Sequence, residues 1–309
     1  MAVDAAERHA ILTASIARRS SPMPSLRRLI ALLLTTAAVV AAALPSIDPD
    51  LFWHLGVGRA ALAGELIRTE PWSWAAVGHP FYPHSLAYDA LLALFYDRGG
   101  LLAVALLGAL LGGLSLLLLD RLALAIGVRE TIARGAVLFI AAMLAAPIWS
   151  ARAQLWDLIG LLTVALLLEA HRRAGRHRLL LPLVPLSLAW GLLHGAGLLA
   201  GASVGAAYLV DALAARDYLR ARALLLAGCA AAVAASAGPL GPSLLLYPFE
   251  TLVSPVQQAS IAEGQPLTVD LPSGALFLAL LIVALLVRDR KSTRLNSSHV
   301  SESRMPSSA

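Results

Sequence analysis

Apolar residues run in long blocks along the chain, and polar residues gather in the segments between them. Each block is close to the roughly 20 residues that an α-helix needs to cross the hydrocarbon of a bilayer. A membrane β-barrel would need short alternating strands instead. The pattern therefore predicts an all-α polytopic membrane protein of about eight transmembrane helices, at about 29–44, 100–119, 135–149, 155–170, 179–194, 196–213, 223–238 and 273–287.

Composition supports lipid as the solvent of these blocks. Hydrophobic residues make up 59% of the 309 positions and charged residues 14%, against roughly 45–50% and 25% in soluble domains. The sequence pI of about 9.9 does not indicate a nucleic-acid partner, because the basic residues lie in short loops between apolar blocks. Cys229 is the only cysteine, which excludes an intrachain disulfide and a cysteine-based metal site.

Arginine clusters predict which side of the membrane each loop occupies. Three loops carry such clusters, at 121–134, 172–178 and 216–222, whereas the stretch 239–274 contains no Lys or Arg. The positive-inside rule places the clusters in the cytoplasm. The segment 1–28 carries five arginines and is predicted to be a cytoplasmic N-terminal tail. Eight spans with both ends inside agree with this distribution.

The first apolar block admits a second interpretation, a secretory signal cleaved near its Ala-rich end. Secretory apolar regions are typically about 7–15 residues long and follow shorter leaders, so an uncleaved first span is favoured. The transmembrane domain is then assigned to 29–290, with a long outer loop at 47–99.

The end of the chain differs in composition from the rest. Segment 291–309 contains seven serines and the only Lys and Asn of the whole sequence, Lys291 and Asn296. An ordinary disordered tail has such a composition, and the segment also resembles the translation of a sequencing adapter. We expect it to be an artifact and the native protein to continue beyond Arg290, so that the chain is truncated at its C-terminus.

The outer loop 47–99 is rich in Trp, Phe and Tyr, which argues against disorder. Leucines recur at spacings of four and seven from residue 51. This periodicity predicts an interfacial helix from about Leu51 to Ala63, ended by Gly64.

Two aspartates precede this helix. Asp50 is a natural N-cap, whose carboxylate would accept a backbone N–H of the first turn. Asp48 has no comparable local role. Two carboxylates so close together at a membrane interface are candidates for a general base or for metal ligands.

The loop also contains aromatic and histidine side chains. Trp53, like most aromatic residues there, is expected to anchor the loop at the membrane interface. His54, one turn after Asp50, either pairs with that carboxylate or faces the lipid headgroups. His79 and His84 flank a Pro-Phe-Tyr-Pro stretch that predicts a turn, and neither is expected to be catalytic.

Further polar residues are predicted at the same level of the membrane. Arg152, Gln154 and Asp157 stand at the outer end of the fourth block, where charges are costly and indicate function. Arg152 suits a lipid-linked phosphate, which a guanidinium binds bidentately, or it forms a structural pair with Asp157. His194 lies near the outer turn after the fifth block. Glu263 is predicted to be solvated unless its loop folds over the site.

A set of motifs follows one order along residues 29–287. The first motifs lie in the run DPDLFWHLGVGRAALAGELIRTEPWSWAAVGHPF. It contains an acidic pair (Asp48, Asp50), an aromatic-His-Leu step (Trp53, His54, Leu55), a later glycine (Gly64) and a Pro/aromatic/Ser turn (Pro71, Trp72, Ser73). Later steps lie at Arg152, Gln154, Trp190, His194, Gly195, Pro239, Gly241, Ile261 and Glu263. Together they resemble bacterial membrane proteins of the GT-C glycosyltransferase type, related to protein mannosyltransferases and aminoarabinose transferases. The chain departs from that pattern at Leu192 and Gly238, which replace asparagines, and at Gly264, which replaces tryptophan.

The resemblance implies a GT-C-like helical bundle in the bacterial inner membrane. It implies transfer of a sugar from a polyprenyl-phosphate donor to an acceptor hydroxyl on the extracytoplasmic side, with inversion. Membrane lipid and the lipid-linked sugar are the expected partners, nucleic acid is not, and the acceptor is unspecified. No particular cofactor is implied, and the DPD motif is compatible with a divalent cation without demanding one.

The resemblance also implies roles for individual residues. Asp48 is the first choice for the base that takes the acceptor proton, and Asp50 is the second. Positive and polar groups at the interface would stabilise the departing phosphate, and the residues that match are Arg152, Gln154 and His194. The supporting residues are Trp53, His54 and Glu263.

Two other functions stay open. A transporter or flippase of lipid-linked sugars would need gated polar pathways and midplane charges, whereas most charges here lie at span ends. A non-catalytic membrane component of envelope polysaccharide assembly could have the same sequence, and the departures at the two asparagine positions are compatible with it.

Overall fold

The computed structural model of the chain describes residues 25–43, 48–74, 77–145, 149–255 and 274–283. Over these residues the chain is mainly helical, and an isolated antiparallel bridge joins Thr69 and Pro80. The prediction of an all-α fold is confirmed for this part of the chain. The flanking segments 1–24 and 284–309, and with them most of the predicted tails, lie outside the described residues.

The helices agree with the apolar blocks of the sequence, since each block overlaps a helix within its described residues. The helix predicted from about Leu51 to Ala63 is also confirmed, since it ends at Leu62 and Gly64 follows with a φ of 83°. Its position at a membrane interface stays a prediction. Two short 3-10 turns lie at His177–Leu180 and Gly195–Gly197. The α-helices are α1 (Leu26–Ala43), α2 (Leu51–Leu62), α3 (Leu86–Ala125), α4 (Thr131–Leu144), α5 (Gln154–Ala174), α6 (Leu183–His194), α7 (Leu198–Ala214), α8 (Tyr218–Ala235), α9 (Ser243–Val253) and α10 (Gly274–Val283).

Four stretches of the described chain are long and apolar enough to cross a membrane. They are Leu86–Ala125, Gln154–Ala174, His177–Ala214 and Tyr218–Ala235. The helices α4 and α10 are apolar but shorter. These lengths and compositions are consistent with a membrane protein, and the count of eight spans stays a prediction.

Helix α3 bends sharply at two glycines. Gly99 has φ −146° and ψ 15°, and Gly100 has φ 57° and ψ −148°, a conformation essentially restricted to glycine. Tyr88, before the bend, donates its hydroxyl to the carbonyl of Ala151, and Gly108, after the bend, also packs on Ala151. In a straight helix residues 88 and 108 would be about 30 Å apart. The bend therefore separates a first arm, 86–98, from a second arm that holds the predicted second span.

The chain also reverses between α6 and α7. The Trp190 ring packs where Gly201 leaves room for it, and Leu183 and Ala212 belong to one buried cluster. The starts of α3, α5 and α7 consequently share one end of the bundle with Asp48, which we call the Asp48 end. The opposite end, the arginine end, is held by ion pairs between helix termini, namely Arg134–Asp120 and Arg220–Asp211, and there Glu169 pairs with Arg172 of its own helix.

Helix α2 packs closely on the first arm of α3. Leu51 and Leu55 are buried in the same cluster as Tyr88 and Leu92. A Cβ built on Gly58 would collide with the backbone carbonyl of Asp89, so the two backbones are in direct contact there. Leu51 and Leu55 of the predicted leucine stripe thus face the bundle, whereas Leu62 is exposed.

We expect Gly58→Ala to destabilise the protein by about 1–3 kcal/mol, the usual cost of overpacking. Gly113→Ala is the matched control, because it is also a glycine inside a helix but has open space at its Cβ position. The control should be neutral or stabilising by up to about 1 kcal/mol, since Ala has the higher helix propensity. Thermal unfolding of the detergent-solubilised protein measures both. Equal melting temperatures of the two variants would contradict the close packing of α2.

Candidate functional site

Arg152 joins the two aspartates of the first outer loop. Its Nε lies 2.9 Å from Asp48 Oδ2, and its Nη2 lies 3.6 Å from Asp50 Oδ2. Arg152 comes from the segment between α4 and α5, which the Tyr88 hydroxyl holds through the carbonyl of Ala151. The structure therefore brings together three residues that the sequence separates by about one third of its length.

The two carboxylates have different surroundings. The Asp48 carboxylate is 5% exposed, and its Oδ1 accepts the backbone N–H of Asp50 at 3.0 Å. The Asp50 carboxylate is 46% exposed. The prediction that Asp50 caps α2 with its side chain is wrong: Asp50 occupies the N-cap position without a side-chain cap bond. Asp48 forms the local turn instead, because a side chain of this length reaches the N–H two residues ahead.

His54 pairs with a residue that the sequence did not single out. Its Nδ1 lies 2.6 Å from Asp89 Oδ1, which also accepts the Ser85 hydroxyl at 3.0 Å. The prediction that His54 pairs with Asp50 or faces the headgroups is wrong. Trp53 stacks on the His54 ring with centroids 3.6 Å apart, so it packs over this pair. Asp89 is fully buried, and its Oδ2 has no hydrogen-bond partner within the described part of the chain.

His194 is held by Asp157. Its Nδ1 lies 2.6 Å from Asp157 Oδ2, while Asp157 Oδ1 accepts the indole N–H of Trp190 at 2.8 Å. Gly197 leaves the space for this carboxylate, because a Cβ there would overlap it. The alternative in which Asp157 pairs with Arg152 is therefore wrong. A carboxylate on Nδ1 fixes the tautomer and orientation of the imidazole and directs its Nε2 to any second partner.

His84 lies beside His194, although the sequence indicated only a turn residue. Its ring centroid is 5.6 Å from that of His194 and 5.0 Å from the stacked ring of Tyr247. Its carbonyl accepts the backbone N–H of Gly195 at 2.9 Å. Burial, followed by the charge of His194, lowers the pKa of His84 to about 4. His84 is consequently neutral at pH 7.

The turn around His84 also differs from the prediction. Pro80 pairs with Thr69 in the isolated bridge, and the N–H of Phe81 donates to the Arg68 carbonyl. The predicted turn therefore begins as a short extended pairing, and the chain turns at its end, where the N–H of His84 donates to the carbonyl of Tyr82 at 2.8 Å.

The remaining predicted site residues form no hydrogen bond or ion pair with these groups in the described part of the chain. Gln154 is the first residue of α5, is half-buried, and makes no side-chain hydrogen bond within the described residues. Glu263 and Ile261 lie outside those residues. Among the residues that are described, no three His, Cys, Asp or Glu side chains are grouped as a metal site would require.

The Asp48 end thus contains two adjacent clusters. One is Asp48, Asp50 and Arg152, and the other contains the His54–Asp89 pair together with the neighbouring rings of His84 and His194. Sequence reasoning missed Asp89 because its partner His54 is 35 positions away, and it missed His84 because its neighbours belong to α6 and α9. The one available signal for Asp89 was an acid in the first turn of an otherwise apolar helix.

Comparison with known proteins adds no assignment: no family model matches the chain, and no curated protein or solved structure matches it.

We expect acid to destabilise the protein through His84. Because the folded protein holds the pKa of His84 near 4 and an unfolded histidine titrates near 6.5, the unfolded state binds the proton more readily in between. Stability is therefore present above pH 6.5 and is lost as the pH falls toward 4. His84→Phe keeps an aromatic ring on Tyr247 but cannot titrate, so its melting temperature should fall less over this window. The same pH dependence in both proteins would contradict the assignment.

Proposed function

We propose that the chain is a membrane glycosyltransferase of the GT-C type, with about eight spans and a cytoplasmic N-terminus in the bacterial inner membrane. It moves a sugar from a polyprenyl-phosphate donor to an acceptor hydroxyl on the extracytoplasmic side. The observation that carries the proposal is the contact of Arg152 with Asp48 and Asp50. This contact lies at the end opposite the arginine-rich loops, and the positive-inside rule makes that end extracytoplasmic.

The exposed carboxylate of Asp50 is the better placed of the two to meet an acceptor. In the proposed step the acceptor oxygen attacks the anomeric carbon, the bond from that carbon to the phosphate oxygen breaks, and the hydroxyl proton passes to a carboxylate. Because the displacement is single, the configuration inverts. Asp48, which is buried against Arg152 and the Asp50 backbone, then positions both groups. The geometry thus favours Asp50 as the base and gives Asp48 the supporting role.

The departing polyprenyl phosphate needs positive groups and hydrogen-bond donors. Arg152 supplies a charged fork that suits a phosphate. His194 is oriented by Asp157, and its Nε2 is the atom that would reach a phosphate oxygen. Both residues lie at the Asp48 end, where the charge on the leaving group would develop.

An apolar cavity of about 390 Å³ adjoins this region between α5, α6, α7 and α8. Trp190 forms part of its wall and also donates to Asp157. The cavity is lined almost entirely by apolar side chains, including Val164, Leu183 and Leu209. Such a lining suits part of a polyprenyl chain, whose phosphate would then lie near Trp190.

Two departures from the GT-C pattern are neighbours in space. A Cβ at Gly238 would lie 3.3 Å from Leu192 Cδ2. Leu192 and Gly238 therefore lie side by side, at the two positions where the pattern has asparagines. We propose that this position takes a less polar part of the acceptor or donor than an asparagine pair would.

Transfer should depend on the two aspartates. Asp50→Asn should lower transfer from radiolabelled polyprenyl-phosphate sugars by about 10²–10⁴-fold, the usual contribution of a positioned base. Asp48→Asn should also lower transfer, through loss of the Arg152 ion pair. Asp97→Asn is the matched control, because Asp97 is an exposed acid of the same outer loop that pairs with Arg59. Transfer that survives both changes would contradict the proposal that either aspartate is the base. Movement of lipid-linked sugar without transfer would favour a flippase.

Arg152→Lys should separate charge from geometry. Lysine retains the positive charge but cannot engage two oxygens with a planar fork, so transfer should fall by roughly 10²-fold. The loss should appear in the kinetics with respect to the donor, whereas the acceptor concentration that gives half-maximal rate should be unchanged. Steady-state kinetics in each substrate provide the measurement. A variant with full rate and weaker acceptor binding would place Arg152 on the acceptor side instead.

A further inference from the structure

The arginine end carries an open groove unrelated to the two clusters of the Asp48 end. It has a volume of about 450 Å³, within the range of small-molecule sites. One wall is the 3-10 turn with the start of α6, and the other is one face of α8. The lining side chains are mostly apolar and include Leu180, Leu181, Val184, Leu219, Leu226 and Ala230.

The α8 wall is continuous along the helix axis. Leu219, Ala223, Leu226 and Ala230 recur at steps of three and four, so they share one face. Leu219 and Leu226 are well exposed. Helix α8 begins at the arginine end, and this apolar strip therefore runs from that end toward the middle of the bundle. Because the strip is long, apolar and exposed, a hydrocarbon chain can pack along it.

Basic residues stand at only one end of the strip. Arg222, in the first turns of α8, and His177, in the 3-10 turn, both line the groove and are exposed. Arg222 has no acidic partner among the described residues, whereas Arg220 on the same helix is paired with Asp211. The groove is thus positive at the predicted membrane surface and apolar deeper in. That order of charge and apolar surface matches a phospholipid with an anionic headgroup.

We propose that this groove binds an anionic phospholipid, with an acyl chain along α8 and the headgroup phosphate at Arg222 and His177. Basic pockets between membrane helices on the cytoplasmic side bind acidic headgroups for the same electrostatic reason. The site requires only that the chain lies in a membrane, and it is independent of the transferase at the opposite end.

Native mass spectrometry of the detergent-solubilised full chain tests the site. The protein is titrated with dioleoyl phosphatidylglycerol, which is anionic, and with dioleoyl phosphatidylcholine, which is zwitterionic. The wild type should retain the anionic lipid more strongly. Arg222→Gln should weaken that retention about fivefold, as expected for one basic residue near a membrane surface, and leave the zwitterionic lipid unchanged. Ala230→Trp, which fills the strip, should weaken both lipids.

Arg121→Gln is the matched control, because Arg121 is an exposed arginine at the arginine end of α3 that does not line the groove. It should bind both lipids as the wild type does. Circular dichroism confirms that each variant keeps its helix content. Equal binding of the two lipids by the wild type, unchanged binding by Arg222→Gln or Ala230→Trp, or an equal loss in Arg121→Gln would each overturn the proposal.

Discussion

The ion pair between Arg152 and Asp48 is the interaction on which the rest of the Asp48 end depends. It ties the outer loop to the connection between α4 and α5, and the buried Asp48 carboxylate in turn holds the backbone of Asp50. A buried charge that loses its partner is strongly destabilising, so neither residue can be changed alone without cost. The same pair leaves the Asp50 carboxylate at the surface, where a substrate can reach it. Asp48 therefore supports the structure, whereas the neighbouring Asp50 is exposed and available for chemistry.

Much of the helical layout was predictable because it follows from local periodicity. The apolar blocks, the interfacial helix from Leu51 and its end at Gly64 all depend on residues close together in the sequence. The partners of His54 and Asp157 were not predictable in this way. Each pairs with a residue more than thirty positions away, and those pairs follow from the packing of helices, which no local pattern encodes. The N-cap at Asp50 failed for a smaller reason, since Asp48 competed for the same turn.

The two ends of the bundle use charge differently. At the arginine end, acids pair with arginines. Asp211 pairs with Arg220 of the neighbouring helix, and Glu169 pairs with Arg172 and Arg173 of its own helix. At the Asp48 end, carboxylates instead hold histidines and one arginine in fixed orientations, and two of these carboxylates, Asp48 and Asp89, are buried. The first arrangement stabilises helix packing. The second keeps polar side chains ordered where a substrate could meet them, which is the usual requirement of a binding or catalytic site.

The bend of α3 has a consequence for how the chain partitions between lipid and water. A straight helix over its 40 residues would be about 60 Å long, roughly twice the hydrocarbon thickness of a bilayer. Hydropathy alone cannot say where along such a length the solvent boundary falls. The backbone torsions of Gly99 and Gly100 instead divide it into a first arm, which carries Asp89, and an apolar second arm of a length closer to one crossing. The bend thus separates the buried histidine–carboxylate pair from the part of the helix that is long and apolar enough to span.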